Sequence, residues 1–144
     1  MTAPVISSRP DLVAVKRLLT ATRLPDGDLT DAHLEHFFHA VRDCQLLGIV
    51  GVEVLGESGL LRSLVVRDDS RASGFGSTLV THAEGYARSR GVRDLYLLTT
   101  TAQAFFAARG YHAVSRDRAP HTIKATREFA AICPASAVLM TKQL

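Results

Sequence analysis

The stretch LLRSLVVRDDSRASGFGSTLV, from Leu60 to Val80, constrains the fold more than any other part of the chain. It opens as a short apolar run, breaks into a loop of arginine, serine and glycine, and then becomes amphipathic. A run this short, bounded by turn residues, reads as a buried strand, and Ser77 to Arg90 reads as a helix with Leu79, Ala83, Tyr86 and Arg90 on one side and Gly91 as its left-handed stop. A second buried strand, LYLLT, follows at Leu95 to Thr99. Strand, helix and strand within about 40 residues predict a right-handed crossover, with Leu60 to Val66 parallel to Leu95 to Thr99.

The loop carries chemistry. Arg71, Gly74 and Gly76 form R-x-x-G-x-G at a strand-to-helix junction, where backbone N–H groups and a helix N-terminus converge and favour an anion. Glycine at 74 and 76 lets the main chain approach a diphosphate, Ser73 and Ser77 add hydroxyl donors, and Arg71 adds a charged one. A dinucleotide fingerprint would need a third small residue near position 79, where Leu79 stands, and a nucleotide-triphosphate loop would need Gly-Lys-Thr. The alternative is an ordinary glycine-rich turn.

The rest of the chain bounds the ligand class. The sequence has 144 residues, 47% apolar, which fits one compact domain. Seventeen basic and 14 acidic residues give a net charge of +3 without any block of one sign, so small anions fit better than nucleic acid. Cys44 and Cys133 stand far apart and the N-terminus has no secretory pattern, so the expectation is a cytoplasmic protein without a disulfide framework or membrane span.

Other elements are expected as follows. Asp11 caps a helix through Ala21, with Leu12, Val15, Leu18, Leu19 and Thr22 as its apolar stripe. A second helix begins near Thr30 or Asp31, with Leu34, Phe37, Phe38 and Val41 on one stripe and His33, His36 and His39 solvated on the other side. No carboxylate or cysteine completes a metal set with those histidines, so no metal is expected. Gln45 to Val66 reads as an antiparallel meander. If Gly56 to Gly59 form a four-residue turn, Leu55 pairs with Leu60, Glu53 with Arg62 and Gly51 with Leu64. A helix over Ala102 to Arg109 ends at Gly110, and HAVS and AVLMTKQL form the last strands. Between them lies an insertion, Arg116 to Ser136, with a helix around IKATREFAAI.

Together with GVRDLYLLTTTAQAFFAARGY, the Leu60–Val80 stretch closely resembles the core of the GNAT superfamily of N-acetyltransferases. LYLLTTTAQAFFAARGY and TREFAAICPASAVLM resemble, within it, the arsenic-resistance and amino-acid N-acetyltransferases. The likeness runs from about Ile49 to the end of the chain. It implies an α/β fold with a mixed, mostly antiparallel sheet, whose central parallel pair splays around acetyl-CoA, with flanking helices. It implies that Arg71, Ala72, Ser73, Gly74, Phe75, Gly76 and Ser77 hold the cosubstrate's diphosphate. It further implies that the Leu64 N–H donates to the thioester carbonyl and that Val65 and Val66 line the pantetheine arm. The side chains of Leu64, Val65 and Val66 also read as core.

An attacking amine must be neutral, and an α-amino group near pKa 8 is mostly protonated at pH 7. Glu53 is the carboxylate on the central strands and the candidate base, on the same sheet face as Arg62. The pair also reads as a cross-strand salt bridge, with Arg62 holding an acceptor's carboxylate or oxyacid group. His121 is a second candidate base, against an ordinary exposed loop histidine. Phe106 stands where the family's usual acid, a tyrosine, would be, next to the cosubstrate. A thiol of pKa near 8.5 leaves as thiolate at pH 7 with a disadvantage of only about 2 kcal/mol, so solvent can supply the proton. Tyr111 reads as core. Among Thr99, Thr100 and Thr101, one caps the next helix; Thr101 is assigned to the cosubstrate and Thr99 to the acceptor, with Arg127 as a further anion clamp. Cys133 reads as a small buried residue rather than an arsenic ligand. The expected activity is acetyl transfer from acetyl-CoA to the amine of an amino acid or amino-acid-like arsenical, within a ternary complex and in a possible homodimer. A non-catalytic acyl-CoA sensor and a peptide or polyamine acetyltransferase are the alternatives.

Overall fold

The computed structural model describes residues 5–8, 12–21, 37–42, 45–66, 74–126, 129 and 137–144. Among the described residues seven strands form one sheet in the order β1-β2-β3-β4-β5-β7-β6. They are β1 (Val5–Ser8), β2 (Phe37–Arg42), β3 (Gln45–Leu55), β4 (Ser58–Val66), β5 (Asp94–Thr99), β6 (His112–Val114) and β7 (Val138–Gln143). The β4–β5 pair is parallel and the other neighbours are antiparallel, as the strand–helix–strand reading of Leu60 to Thr99 requires.

Alternation divides the core. Phe38, Val50, Val52, Leu61, Leu97 and Met140 turn to the face covered by α2 (Phe75–Ser89) and by Phe106 of α3 (Gln103–Ala107). Their neighbours Phe37 and Ile49 meet Val15 and Leu19 of α1 (Leu12–Ala21) on the other face. On that same second face Leu60 and Leu139 meet Ile123 of α4 (His121–Lys124). Arg62 and Glu53 thus lie on the face that carries two apolar clusters, one under α1 and one under α4.

Several expectations need correction. The helix expected from residue 30 does not reach Val41: Phe37–Arg42 is β2, paired with β1 and β3. Two adjacent phenylalanines buried on opposite faces are a strand's pattern, although their spacing from Leu34 and Val41 also fits a helix. The expected beginning of that helix, with His33 and His36, lies outside the described residues. His39 is half-buried rather than solvated, and its Nδ1 is enclosed without a hydrogen-bond partner.

The β3–β4 hairpin turns in two residues rather than four, with Leu55 opposite Ser58 and Gly56 at φ 73°. Glycine with positive φ at the first central position is what a tight type II′ hairpin needs. Gly51 therefore faces Arg62 and Glu53 faces Leu60. Because the slip is an even one, the side chains from Glu53 to Arg62 keep their faces.

Helix α2 starts at Phe75, two residues before the expected Ser77, and its buried side runs through Leu79, Val80, Ala83, Glu84 and Ala87. Arg90, expected on that stripe, is exposed. Gly91 and Gly110 follow their helices at φ 87° and 94°. In the insertion, a 3-10 turn at Arg116–Arg118 precedes α4, whose four residues begin ahead of the helix expected around IKATREFAAI. Apart from Phe129, the rest of that expected helix, with Arg127 and Cys133, lies outside the described residues. So do Asp11 and Cys44. No helix among the described residues is long and apolar enough to cross a membrane.

Candidate active site

The site forms where β4 changes direction. Pairing of β4 with β3 runs Gly51↔Arg62 on one side and Ile49↔Val65 on the other, so one extra residue is inserted into β4. Ser63, inside this bulge, has φ 57° and is the positive-φ residue other than glycine among those described. The inserted residue reverses the alternation: Leu64 and Val66 pack toward α2, and Val65 joins the α1 cluster. Meanwhile the parallel pairing with β5 stops at Leu60↔Tyr96, and β5 goes on beside β7. Leu64 therefore has no paired residue on either neighbouring strand, and a cleft opens between β4 and β5.

At the same end of the sheet α2 begins. Gly74 precedes it at φ 81°, and the Gly74 carbonyl accepts both the N–H and the Oγ1 hydroxyl of Thr78 at 3.1 Å. An added Cβ at Gly74 would meet nothing within 4 Å, so glycine is required there by backbone conformation and not by space. Gly76 is the opposite case: a Cβ would lie 3.3 Å from Cζ of Phe105 and 3.5 Å from Cγ2 of Val66. Gly76 lets the start of α2 close down on α3 and β4. The first N–H groups of a helix have no acceptor within it, and a helix of 15 residues adds a dipole that favours an anion at this end. Ser77 is half-buried at this terminus. Arg71, Ala72, Ser73 and the Phe75 side chain lie outside the described residues.

On the far face, the Arg62 side chain is fully enclosed and the Glu53 side chain is 19% exposed. Arg62 Nη1 lies 3.5 Å from Glu53 Oε2, and Arg62 Nε donates to Ser63 Oγ at 3.2 Å. The guanidinium so touches both the carboxylate and the bulge. Thr99 Oγ1 accepts the N–H of Ala102, the residue just before α3, at 3.0 Å, but α3 has no side-chain cap of the kind expected from the threonines; Thr101 is exposed. His121, at the start of α4, is exposed as well.

Phe106 is buried, with its ring edge-on to Phe105 and to Tyr111. The Tyr111 hydroxyl donates to Glu84 Oε2 at 2.8 Å, and Lys142 Nζ lies 3.0 Å from the same oxygen. Burial, followed by the Glu84 carboxylate, raises the Tyr111 pKa far above its ordinary value, so the phenol keeps its proton. This trio, buried at Tyr111 and Glu84 and partly exposed at Lys142, gave little sign of itself in the sequence. Its one visible signal is Glu84 standing four residues after Val80 and three before Ala87, on the apolar side of α2. Ser63 gave no signal at all. Among the described residues no group of three His, Cys, Asp or Glu side chains is placed to hold a metal.

The family model described as the acetyltransferase (GNAT) family matches residues 10–113. The chain belongs to the GNAT family. An amino-acid acetyltransferase of Neisseria meningitidis is 29% identical over 92 residues, which cover 62% of this chain and 21% of that protein. An amino-acid acetyltransferase of Pseudomonas syringae is 39% identical over 64 residues, 44% of this chain and 15% of that one. The chain thus spans about a fifth of the length of such relatives. Among solved structures, N-acetylglutamate synthase from Neisseria gonorrhoeae, complexed with coenzyme A and N-acetyl-glutamate, superposes with a TM-score of 0.83 at 20% identity, covering 100% of this chain and 36% of that one. A Mycobacterium tuberculosis protein in complex with CoA gives 0.83 at 19% identity and covers 98% of this chain and 99% of its own. These likenesses show the shared fold.

Proposed function

We propose that this GNAT domain transfers the acetyl group of acetyl-CoA to the amino group of a small molecule, an amino acid or an amino-acid-like arsenical, within a ternary complex. The observation that carries the reading is the cleft between β4 and β5, which ends at the N-terminus of α2 behind a left-handed Gly74. Such a cleft takes an extended arm, and such a terminus takes a diphosphate. Residues 71 to 77 are assigned to the diphosphate, Val65, Val66, Thr101 and Phe106 to the neighbourhood of the arm, and the Leu64 N–H to the thioester carbonyl.

The amine nitrogen attacks the thioester carbonyl carbon, the Leu64 amide stabilises the oxyanion, and the C–S bond breaks to release the thiolate of coenzyme A. Glu53, the partly exposed member of its pair, takes the proton of the amine through water. Thr99 and Arg127 are assigned to the acceptor, and Arg62, expected to hold its acid group but enclosed behind Glu53, acts on it through that carboxylate. Phe106 supplies no proton and Tyr111 is committed to Glu84, so solvent protonates the thiolate. The amino-acid class is supported by the curated relatives, named as amino-acid acetyltransferases.

Phe106 and the engaged Tyr111 also favour a second reading, an acyl-CoA sensor without turnover. Thiol release from acetyl-CoA, measured with a panel of amino acids, glutamate analogues, arsenicals, peptides and polyamines, decides. Turnover with an amino acid or arsenical is expected; tight acetyl-CoA binding with no turnover for any acceptor supports the sensor.

A further inference from the structure

We propose that Ser63 is a positioning residue: its left-handed backbone, held by the hydrogen bond from Arg62 Nε to its hydroxyl, aims the Leu64 amide at the thioester carbonyl. The inference rests on the acetyl-CoA reading above. A serine at φ 57° in the middle of a strand is a conformation that non-glycine residues rarely adopt and that persists where the surroundings hold it. Two restraints do so. The ladder fixes both ends of the bulge, at Gly51↔Arg62 and Ile49↔Val65. Between them, Arg62 Nε reaches Ser63 Oγ at 3.2 Å from a side chain that is itself fully enclosed and braced against Glu53.

The consequence falls on the next residue. Were Ser63 to return to extended backbone, the strand would recover regular alternation, Leu64 would exchange faces with Val65, and its N–H would turn from the cleft. One guanidinium therefore serves both ends of the site, through Glu53 on the acceptor side and through Ser63 on the side of the thioester. Nothing else among the described residues hydrogen-bonds the Ser63 hydroxyl.

The test is isotope-edited infrared spectroscopy of acetyl-CoA carrying carbon-13 at its carbonyl, bound to the intact protein, with calorimetric affinity for coenzyme A measured in parallel. The carbonyl band reports the hydrogen bond at the thioester, whereas coenzyme A affinity reports the diphosphate loop. Ser63→Val, β-branched and ill-suited to the left-handed region, should move the bound band to higher frequency and lower turnover about a hundredfold, as loss of an oxyanion donor does. Its coenzyme A affinity should stay within about threefold. Ser63→Asn, which tolerates this backbone and offers an acceptor oxygen to Arg62, should keep the wild-type band. Should Ser63→Val not fold, Ser63→Ala keeps the strain without the hydroxyl and should shift the band upward, and Ser63→Gly should shift it less. A wild-type band in Ser63→Val, or in Ser63→Ala where that replaces it, overturns the assignment while leaving the acetyl-CoA reading in place. Wild-type protein that binds neither acetyl-CoA nor coenzyme A overturns both.

Discussion

Arg62 and Glu53 meet at 3.5 Å along a diagonal of the β3–β4 ladder, with the guanidinium wholly enclosed and the carboxylate open on one side. An enclosed cation depends on the contacts that compensate it, and removing Glu53 takes one of them from Arg62. Arg62→Ala should raise the acceptor KM at least about tenfold and change the acetyl-CoA KM far less, with some loss of stability besides. Arg62→Lys keeps the charge without the planar fork and should recover only part of the acceptor affinity. Steady-state kinetics with each substrate varied in turn measures this; equal effects on both KM values would remove Arg62 from the acceptor side.

Gly74 is a conformational requirement, since its φ is 81° and space around it is open. Gly74→Val should lower coenzyme A affinity by about a hundredfold or more, whereas Gly74→Asn, which visits this region, should lose only a few-fold. Calorimetry separates the two variants. If both lose affinity alike, bulk rather than backbone is the cause.

The same distinctions explain how much could be read ahead of the structure. Leu60 to Thr99 was legible because three kinds of pattern follow one another there: an apolar run, a glycine-containing loop and a period near 3.6. Phe37 and Phe38 were not, because adjacent residues buried on opposite faces satisfy a helical stripe as well as a strand. The hairpin register was missed by two because GESG has a glycine at each end and permits either turn length. The faces of Glu53 and Arg62 survived because the slip was even. Ser63 and the Glu84–Lys142 contact were illegible for one reason: each depends on pairing distant in sequence, 58 positions in the second case.

Glu84, Tyr111 and Lys142 tie α2, the segment after α3 and β7 together through one carboxylate oxygen. Tyr111→Phe keeps the ring against Phe106 and removes the hydroxyl, which should cost about 1–3 kcal/mol, a Tm loss of several degrees. The variant should also respond differently to alkali. The folded tyrosine keeps its proton above its ordinary pKa of 10.0, while the unfolded one gives it up. Stability is therefore full below that value and falls as pH rises past it. Thermal melts from pH 8 to 11 should show a shallower decline in Tyr111→Phe; an identical decline would mean that other groups govern the alkaline limb.

His39 predicts the acid limb. It stands on β2 between Ser7 of β1 and Ile49 of β3, with Nδ1 enclosed and without a hydrogen-bond partner. Burial lowers its pKa below the ordinary 6.5, because the ring cannot solvate a second proton there. At neutral pH both the folded and the unfolded histidine are mainly uncharged, and the fold loses nothing. As pH falls below 6.5 the unfolded chain takes a proton that the folded one resists, so stability declines until the folded ring is protonated too. The decline from this one group cannot exceed about 1.4 kcal/mol per pH unit. His39→Phe, which suits a strand and carries no titrating nitrogen, should melt with a weaker dependence on pH between 7 and 5 than the wild type. Chemical denaturation at half-unit steps across that range measures the difference, and coincident profiles would assign the acid limb to groups other than His39.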